Sequence, residues 1–193
     1  MKKMFFALCI VFLVACATPS PQTQKYKEAS FPVFELPIPQ NDAEQNYLGI
    51  SGSGKFKITQ IKSPVIIIEV LCTDCPNCRI AASSVNEVYE EIQARPDLKD
   101  KIKIIGIMQD NNINEVDSYR ARYNVPFPLF LDPGGSISDR LGVQDIPTFI
   151  GIKNNDDGTT EQFYFQSGAF RLWSENRFLK KIIKLSKLEI GEE

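Results

Sequence analysis

Seven residues, Val65-Ile66-Ile67-Ile68-Glu69-Val70-Leu71, are apolar at every position but one. A half-exposed strand alternates polar and apolar side chains, whereas a strand apolar on both faces has both faces covered. The run therefore predicts a central strand packed between helices, which points to an α/β architecture. Glu69 is the exception, an acid where nothing else is polar, and it needs a reason to be there.

Just beyond the run stands Cys75-Pro76-Asn77-Cys78. It opens a segment, Asn77 to Ala94, with Ile80, Ala81, Val85, Val88, Tyr89 and Ile92 at helical spacing and Pro96 past its end. A strand that hands a Cys-x-x-Cys to a helix N-terminus is the layout of a dithiol redox site. Unpaired N–H groups and the positive end of the helix dipole favour a thiolate at the first cysteine, Cys75. Two intervening residues bring Cys78 within disulfide reach, so it can resolve a mixed disulfide. Two other readings exist. A structural disulfide across two residues closes a loop too small to constrain the unfolded chain much. Structural zinc wants four ligands, and with no His and no second Cys pair, carboxylates would have to complete the site. The redox reading calls for no metal and no cofactor.

The N-terminus bears on the compartment. Met1-Lys2-Lys3 is basic, and Met4 to Val14 is an apolar run of signal-peptide length, too short to span a membrane comfortably. It ends in Leu13-Val14-Ala15-Cys16, which resembles the bacterial lipobox, where the Cys becomes the lipidated first residue of the mature protein. The expected organisation is a signal peptide over 1–15, a lipidated Cys16 with a polar, Pro-bearing tether over 16–30, and one folded domain over 31–190. An ordinary cleaved signal peptide with an incidental Cys, or a retained anchor, would be the alternatives. Of the five cysteines, Cys9 would leave with the signal and Cys16 would carry lipid. Cys72, Cys75 and Cys78 remain, close together, and no distant Cys can form a staple. The expected location is a lipid-anchored place in a bacterial cell envelope, the domain facing the periplasm or the exterior, where disulfides persist. With 22 Lys and Arg against 24 Asp and Glu, the charge argues against a nucleic-acid partner.

Periodicity supplies the remaining elements. Phe31 to Pro39 alternates as an edge segment interrupted by prolines. Gly49 to Gly54 is turn-rich, and Lys55 to Thr59 alternates as a short strand. Ile102 to Ile107 is a second buried strand, and Ile113 to Tyr123 a helix with Asn111 or Asn112 near its cap. Phe127 to Leu131 is a strand stopped by Asp132-Pro133-Gly134-Gly135, and Ile137 to Leu141 is a short helix. Thr148 to Ile152 and Gln162 to Phe165 flank a turn sequence, Asn154 to Gly158, and so predict a hairpin. Leu172 to Leu188 is a closing amphipathic helix.

Two motifs now carry a resemblance. Cys75-Pro76-Asn77-Cys78 after a buried strand, and Asp145-Ile146-Pro147-Thr148-Phe149 before a hairpin, are similar in order and spacing to the thioredoxin superfamily over about residues 31 to 188. Within it the chain resembles the membrane-tethered thiol–disulfide oxidoreductases of bacteria. The resemblance implies a three-layer α/β/α sandwich with a central mixed sheet, an N-terminal extension and a strand–helix insertion, the last fitted by Asn111 to Pro126. It implies that Cys75 is the exposed nucleophile and Cys78 the buried resolving thiol. Pro147 would be a cis-proline beside the sulfurs, with the Ile146 backbone free to pair with an extended substrate. An ordinary trans turn proline is the alternative. Glu69 would be the buried acid beneath Cys78, raised by desolvation and able to take its proton; the alternative is a pairing with a Lys at the sheet edge. Implied partners are protein thiol and disulfide substrates and a membrane redox partner.

The chain departs from that pattern in two places. Thr73-Asp74 stands where an aromatic usually precedes the first Cys, and Asp74 should oppose a neighbouring thiolate, making the couple more reducing. Cys72 is either a buried bystander or a third redox thiol. Among other functions, a peroxidase of the peroxiredoxin type wants a Pro-x-x-x-Thr-x-x-Cys pattern and an activating Arg, and Thr73 is too close. Copper delivery wants a His. A non-catalytic binding lipoprotein would not need both thiols, and a metal-binding one would need carboxylates to complete its ligand set. The lipobox reading makes one prediction: labelled palmitate enters the wild type and not Cys16→Ser, and a mature protein without lipid that starts elsewhere would overturn it.

Overall fold

The computed structural model describes residues 31–168 and 175–191; the signal peptide, Cys16 and tether expected from the sequence lie outside them. In chain order the elements are β1 (Glu35–Pro37), α1 (Asp42–Leu48), β2 (Lys55–Lys57), β3 (Val65–Leu71), α2 (Pro76–Ala94), β4 (Ile102–Gln109), α3 (Ile113–Tyr123), β5 (Leu129–Asp132), α4 (Ser136–Arg140), β6 (Thr148–Asn154), β7 (Thr160–Ser167) and α5 (Glu175–Ser186). Among the described residues, no helix is long and apolar enough to cross a membrane.

β3 is the centre of a five-stranded mixed sheet in the order β5-β4-β3-β6-β7. It pairs parallel with β4 and antiparallel with β6. All seven of its residues are buried. Val65, Ile67 and Leu71 enter one apolar cluster, and Ile66, Ile68 and Val70 enter another. Strand alternation thus splits one apolar run between two layers of core. Helices α2, α3 and α5 fill the first layer with side chains such as Val85, Val116 and Phe178. The second layer takes Leu141 and Val143 beyond α4, and Leu36, Leu48 and Phe56 from the N-terminal segment. Helices on both faces of a mixed sheet match the expected sandwich.

The N-terminal segment differs from expectation. β1 and β2 form a separate two-stranded antiparallel sheet and do not join the main one. Pro32, Pro37 and Pro39 have no N–H to give a longer ladder. The sequence reading misses α1, which buries one side chain, Leu48, and so has no periodicity to show. Its caps were the available signal: the Asn41 side chain accepts from Glu44 N–H at 2.7 Å, and Gly49 closes the helix at φ 66°.

α1 has a specific task at the sheet edge. β5 pairs with β4 only from Gly106 to Gln109. The backbone of Ile104, two residues earlier, faces the same way with no strand beside it. There the Tyr47 hydroxyl accepts from Ile104 N–H at 2.7 Å and donates to Ile104 C=O at 3.3 Å. Lys103 lies over the Tyr47 ring at 4.6 Å. Tyr47→Phe would strip both partners from a buried peptide unit, so we expect a loss of about 1–3 kcal/mol. The check is a lower urea midpoint at unchanged m-value; a wild-type midpoint would contradict it.

Candidate dithiol site

β3 ends at Leu71, and a four-residue turn, Cys72 to Cys75, carries the chain into α2. Cys75 is the N-cap of that helix, and its sulfur accepts a hydrogen bond from the Cys78 N–H at 3.1 Å. Pro76 follows at the first helical position, where a missing N–H is no loss. The capping bond is of the kind a thiolate accepts more strongly than a thiol. The Cys75 sulfur also lies 3.5 Å from the carbonyl oxygen of Ile146. The Ile146–Pro147 peptide is cis, as the sequence reading expected. Its loop is closed by the Thr148 hydroxyl, which donates to Asp145 C=O, and by Gly168 N–H, which donates to Pro147 C=O at 2.8 Å. The paired part of β6 starts only at Thr148, so Ile146 sits beyond the ladder, beside Cys75.

Cys72, Cys75 and Cys78 are free thiols. Cys78 is fully enclosed, and Cys75, expected to be the exposed thiol, is itself buried at 9 % exposure, because the Ile146 loop lies against its sulfur. Burial pushes the Cys78 thiol up, and the hydrogen bond with the Cys75 sulfur and the nearby charge of Glu69 push the same way, while the Cys72 backbone opposes them. Cys72 itself is half-buried against the same core layer.

Glu69 is 2 % exposed, and its Oε1 has no hydrogen-bond partner. Strand parity puts it on the same face as Ile67 and Leu71, the face covered by Cys78 and α2. Its neighbours in register are Gly106 on β4 and Phe149 on β6, neither of which is charged. A Cβ at Gly106 would fall 2.4 Å from Leu129 Cδ2, so a larger residue there would require the Leu129 side chain to shift. Among the described residues no ion pair involves Glu69, so the alternative pairing with an edge Lys is not found. Burial alone raises its carboxyl from the ordinary 4.5 to about 8.

Three further residues shape the site and were not singled out from sequence. Asn111, just before α3, accepts from Thr73 N–H at 3.0 Å and donates to the Thr73 hydroxyl at 2.8 Å. It is itself held by Glu115, which completes a capping box with Asn112. The expected insertion helix therefore grips the turn that presents Cys75. Arg79 donates to Thr73 C=O at 2.8 Å and lies 3.4 Å from the Asp74 carboxylate, which is 96 % exposed. Solvent and this guanidinium thus screen the Asp74 charge that the sequence reading set against Cys75. Tyr119 from α3 is buried, and its hydroxyl donates to Cys78 C=O at 3.1 Å. The Asn-Asn-x-x-Glu run was readable as a helix cap, but no sequence pattern says that the cap reaches the Cys turn.

The raised Glu69 carboxyl fixes the sign of a stability change. Between about 4.5 and about 8 the folded protein keeps this proton and the unfolded chain has lost it. Unfolding then releases a proton, so stability is full below that window and falls as pH rises through it. With cysteines reduced, we expect the wild type to lose stability relative to Glu69→Gln over this range, on the order of a few kcal/mol. Urea titrations of both proteins at a series of pH values check it; parallel curves would rule the shift out.

The comparisons with known proteins fit this geometry. A family model described as the AhpC/TSA family matches residues 28–163. The thiol-disulfide oxidoreductases ResA of Bacillus thuringiensis subsp. konkukian and of Bacillus cereus are each 27 % identical over 95 residues, which is 49 % of this chain and 51 % of theirs. The chain thus spans about half the length of the curated relatives it matches. A crystal structure of a thiol:disulfide interchange protein of the thioredoxin family from Chlorobium tepidum superposes with a TM-score of 0.56, at 17 % identity, over 83 % of this chain and 97 % of that one. StoA from Bacillus subtilis does so at 0.55, also at 17 % identity, over 79 % and 96 %. These likenesses establish a thioredoxin-like fold with a central mixed sheet. Matched by the family model over well more than half its length, the chain belongs to the AhpC/TSA family.

Proposed function

We propose that this protein is an extracytoplasmic thiol–disulfide oxidoreductase that exchanges disulfides with protein substrates, working as a reductase. The observation that carries the reading is the Cys75 sulfur, held by an α2 N–H at 3.1 Å and lying 3.5 Å from the Ile146 carbonyl. A nucleophile stabilised by a helix start, next to backbone that lies beyond the β6 ladder, suits attack on an extended peptide's disulfide.

The steps balance within the dithiol. The Cys75 thiolate attacks one sulfur of the substrate disulfide; that S–S bond breaks, a mixed disulfide forms, and the other substrate sulfur leaves as thiolate. Glu69, ionised, takes the proton of Cys78. The Cys78 sulfur attacks Cys75, an intramolecular disulfide forms, and the second substrate sulfur leaves. The substrate gains two electrons and Cys75 and Cys78 lose them. A membrane redox partner would return them. Burial and the Glu69 charge both work against a thiolate at Cys78. A reduced state with no stabilised thiolate there favours giving electrons away. Ile146 and Pro147 are assigned to substrate binding, and Pro76 and Asn77 to the spacing of the sulfurs. Cys72 is assigned a packing role.

Family membership raises a peroxidase as a second reading. Two contacts weigh against it: the Thr73 hydroxyl is taken up by Asn111, and Arg79 by Thr73 and Asp74. The sequence of residues 1–30 supports the envelope location, with 1–15 as signal peptide, Cys16 as lipid anchor, 16–30 as tether and 31–190 as the working domain.

Two outcomes are expected. Cys78→Ser traps mixed disulfides through Cys75, whereas Cys75→Ser traps few; equal trapping would sink the assignment. Glu69→Gln leaves mixed-disulfide formation nearly unchanged and slows its decay by ~10- to 100-fold. Stopped-flow reduction of a small-molecule disulfide, with the two phases followed separately, measures this. An unchanged decay rate at pH 7 would make Glu69 structural only.

A further inference from the structure

A cleft of about 430 Å³ opens between the Thr73-Asp74 turn, the start of α2 and α3, and neither Glu69 nor either sulfur of the dithiol lines it. Of the residues that do, Tyr119 alone is buried, at 4 % exposure. Its ring packs on Tyr123 at 4.6 Å between centroids, and its hydroxyl donates inward to Cys78 C=O at 3.1 Å. One side of Tyr119 therefore meets the open cleft. The other side lies within electrostatic reach of Glu69, Cys78 and Cys75.

We propose that Tyr119 is a positioning residue for the resolving half of the dithiol: its hydroxyl holds the Cys78 backbone, and its ring walls the Glu69–Cys78 pair off from cleft water. The inference rests on the dithiol reading above. Cys78 is gripped at both ends of its backbone, its N–H by the Cys75 sulfur and its C=O by Tyr119. The sulfur that must reach Cys75 is thereby fixed in direction, and small misplacements of an attacking atom are costly in rate. The wall matters because the Glu69 carboxylate is a strong enough base to take the Cys78 proton only while it stays dry. The groups that face Glu69 are few. Among the described residues, Cys78 comes from α2 and Tyr119 from α3, while β4 and β6 offer Gly106 and Phe149, with Phe178 of α5 packed on the latter. Burial pushes the Tyr119 phenol up, so it stays neutral and adds no charge to the pair.

Two variants of the full chain separate the roles. Tyr119→Phe keeps the wall and loses the bond. We expect mixed-disulfide decay to slow about 5- to 10-fold with formation within about twofold of wild type and the pH midpoint of decay unmoved. Tyr119→Ala opens the wall, and the pH midpoint of decay should fall by about one unit or more, as water reaches the carboxyl. Wild-type decay in Tyr119→Phe would overturn the proposal, even if that variant melts earlier. So would a folded Tyr119→Ala with a wild-type midpoint; if Tyr119→Ala does not fold, Tyr119→Phe alone decides. If the wild type forms no mixed disulfide through Cys75, the dithiol reading itself has failed and this inference falls with it.

Discussion

A carboxyl group in the middle of a strand covered on both faces is the constraint around which the rest of this protein is arranged. Removing Glu69 from water opposes its ionisation, and among the described residues it has no ion-pair partner. β3 must be central for the acid to be that dry, and the strand is central because every other residue in it is apolar. The same strand delivers the chain to the α2 N-terminus, so the dry acid and the two sulfurs belong to one continuous stretch. Folding and chemistry share a requirement here: loosening the core on the α2 side would wet Glu69 as well as weaken the domain.

The opposing environments of the two sulfurs follow from where the helix starts. Cys75 caps α2 and meets an N–H, while Cys78, three residues on, is turned inward beneath the first turn. A single helical turn thus separates a helix-capping sulfur, buried at 9 % exposure, from a fully enclosed one. The turn before it is not left to itself. Asn111 and Arg79 tie Thr73 from two directions, so the presentation of Cys75 depends on α3, an element outside its own strand–helix unit.

Much of this was legible in the chain because it is local. β3, α2, α3 and the hairpin strands have strong periods, and their caps or turns are short-range signals. The pair of cysteines and the cis-proline loop were legible as motifs, since each is a few contiguous residues. What could not be read is contact across the fold. Tyr119 appears in sequence as one more apolar-face residue of a helix, and only packing reveals that its hydroxyl ends on Cys78 C=O. Asn111 reads as a cap and acts also as a clamp. α1 was missed because one buried side chain makes no pattern, and the prolines of the N-terminal segment look like a ragged edge strand when they in fact delimit a separate small sheet. Whether Glu69 found a lysine or stayed alone was likewise a question of neighbours that lie far away in sequence.

The Tyr47 hydroxyl has a consequence beyond stability. A peptide unit exposed where a sheet edge runs out is a template on which another chain can add a strand, and the end product of such pairing is aggregation. At Ile104 one side-chain oxygen occupies both the donor and the acceptor. That closes the template without a further strand. Wherever copies of the chain meet often, one hydroxyl on a seven-residue helix thus guards this edge against self-association.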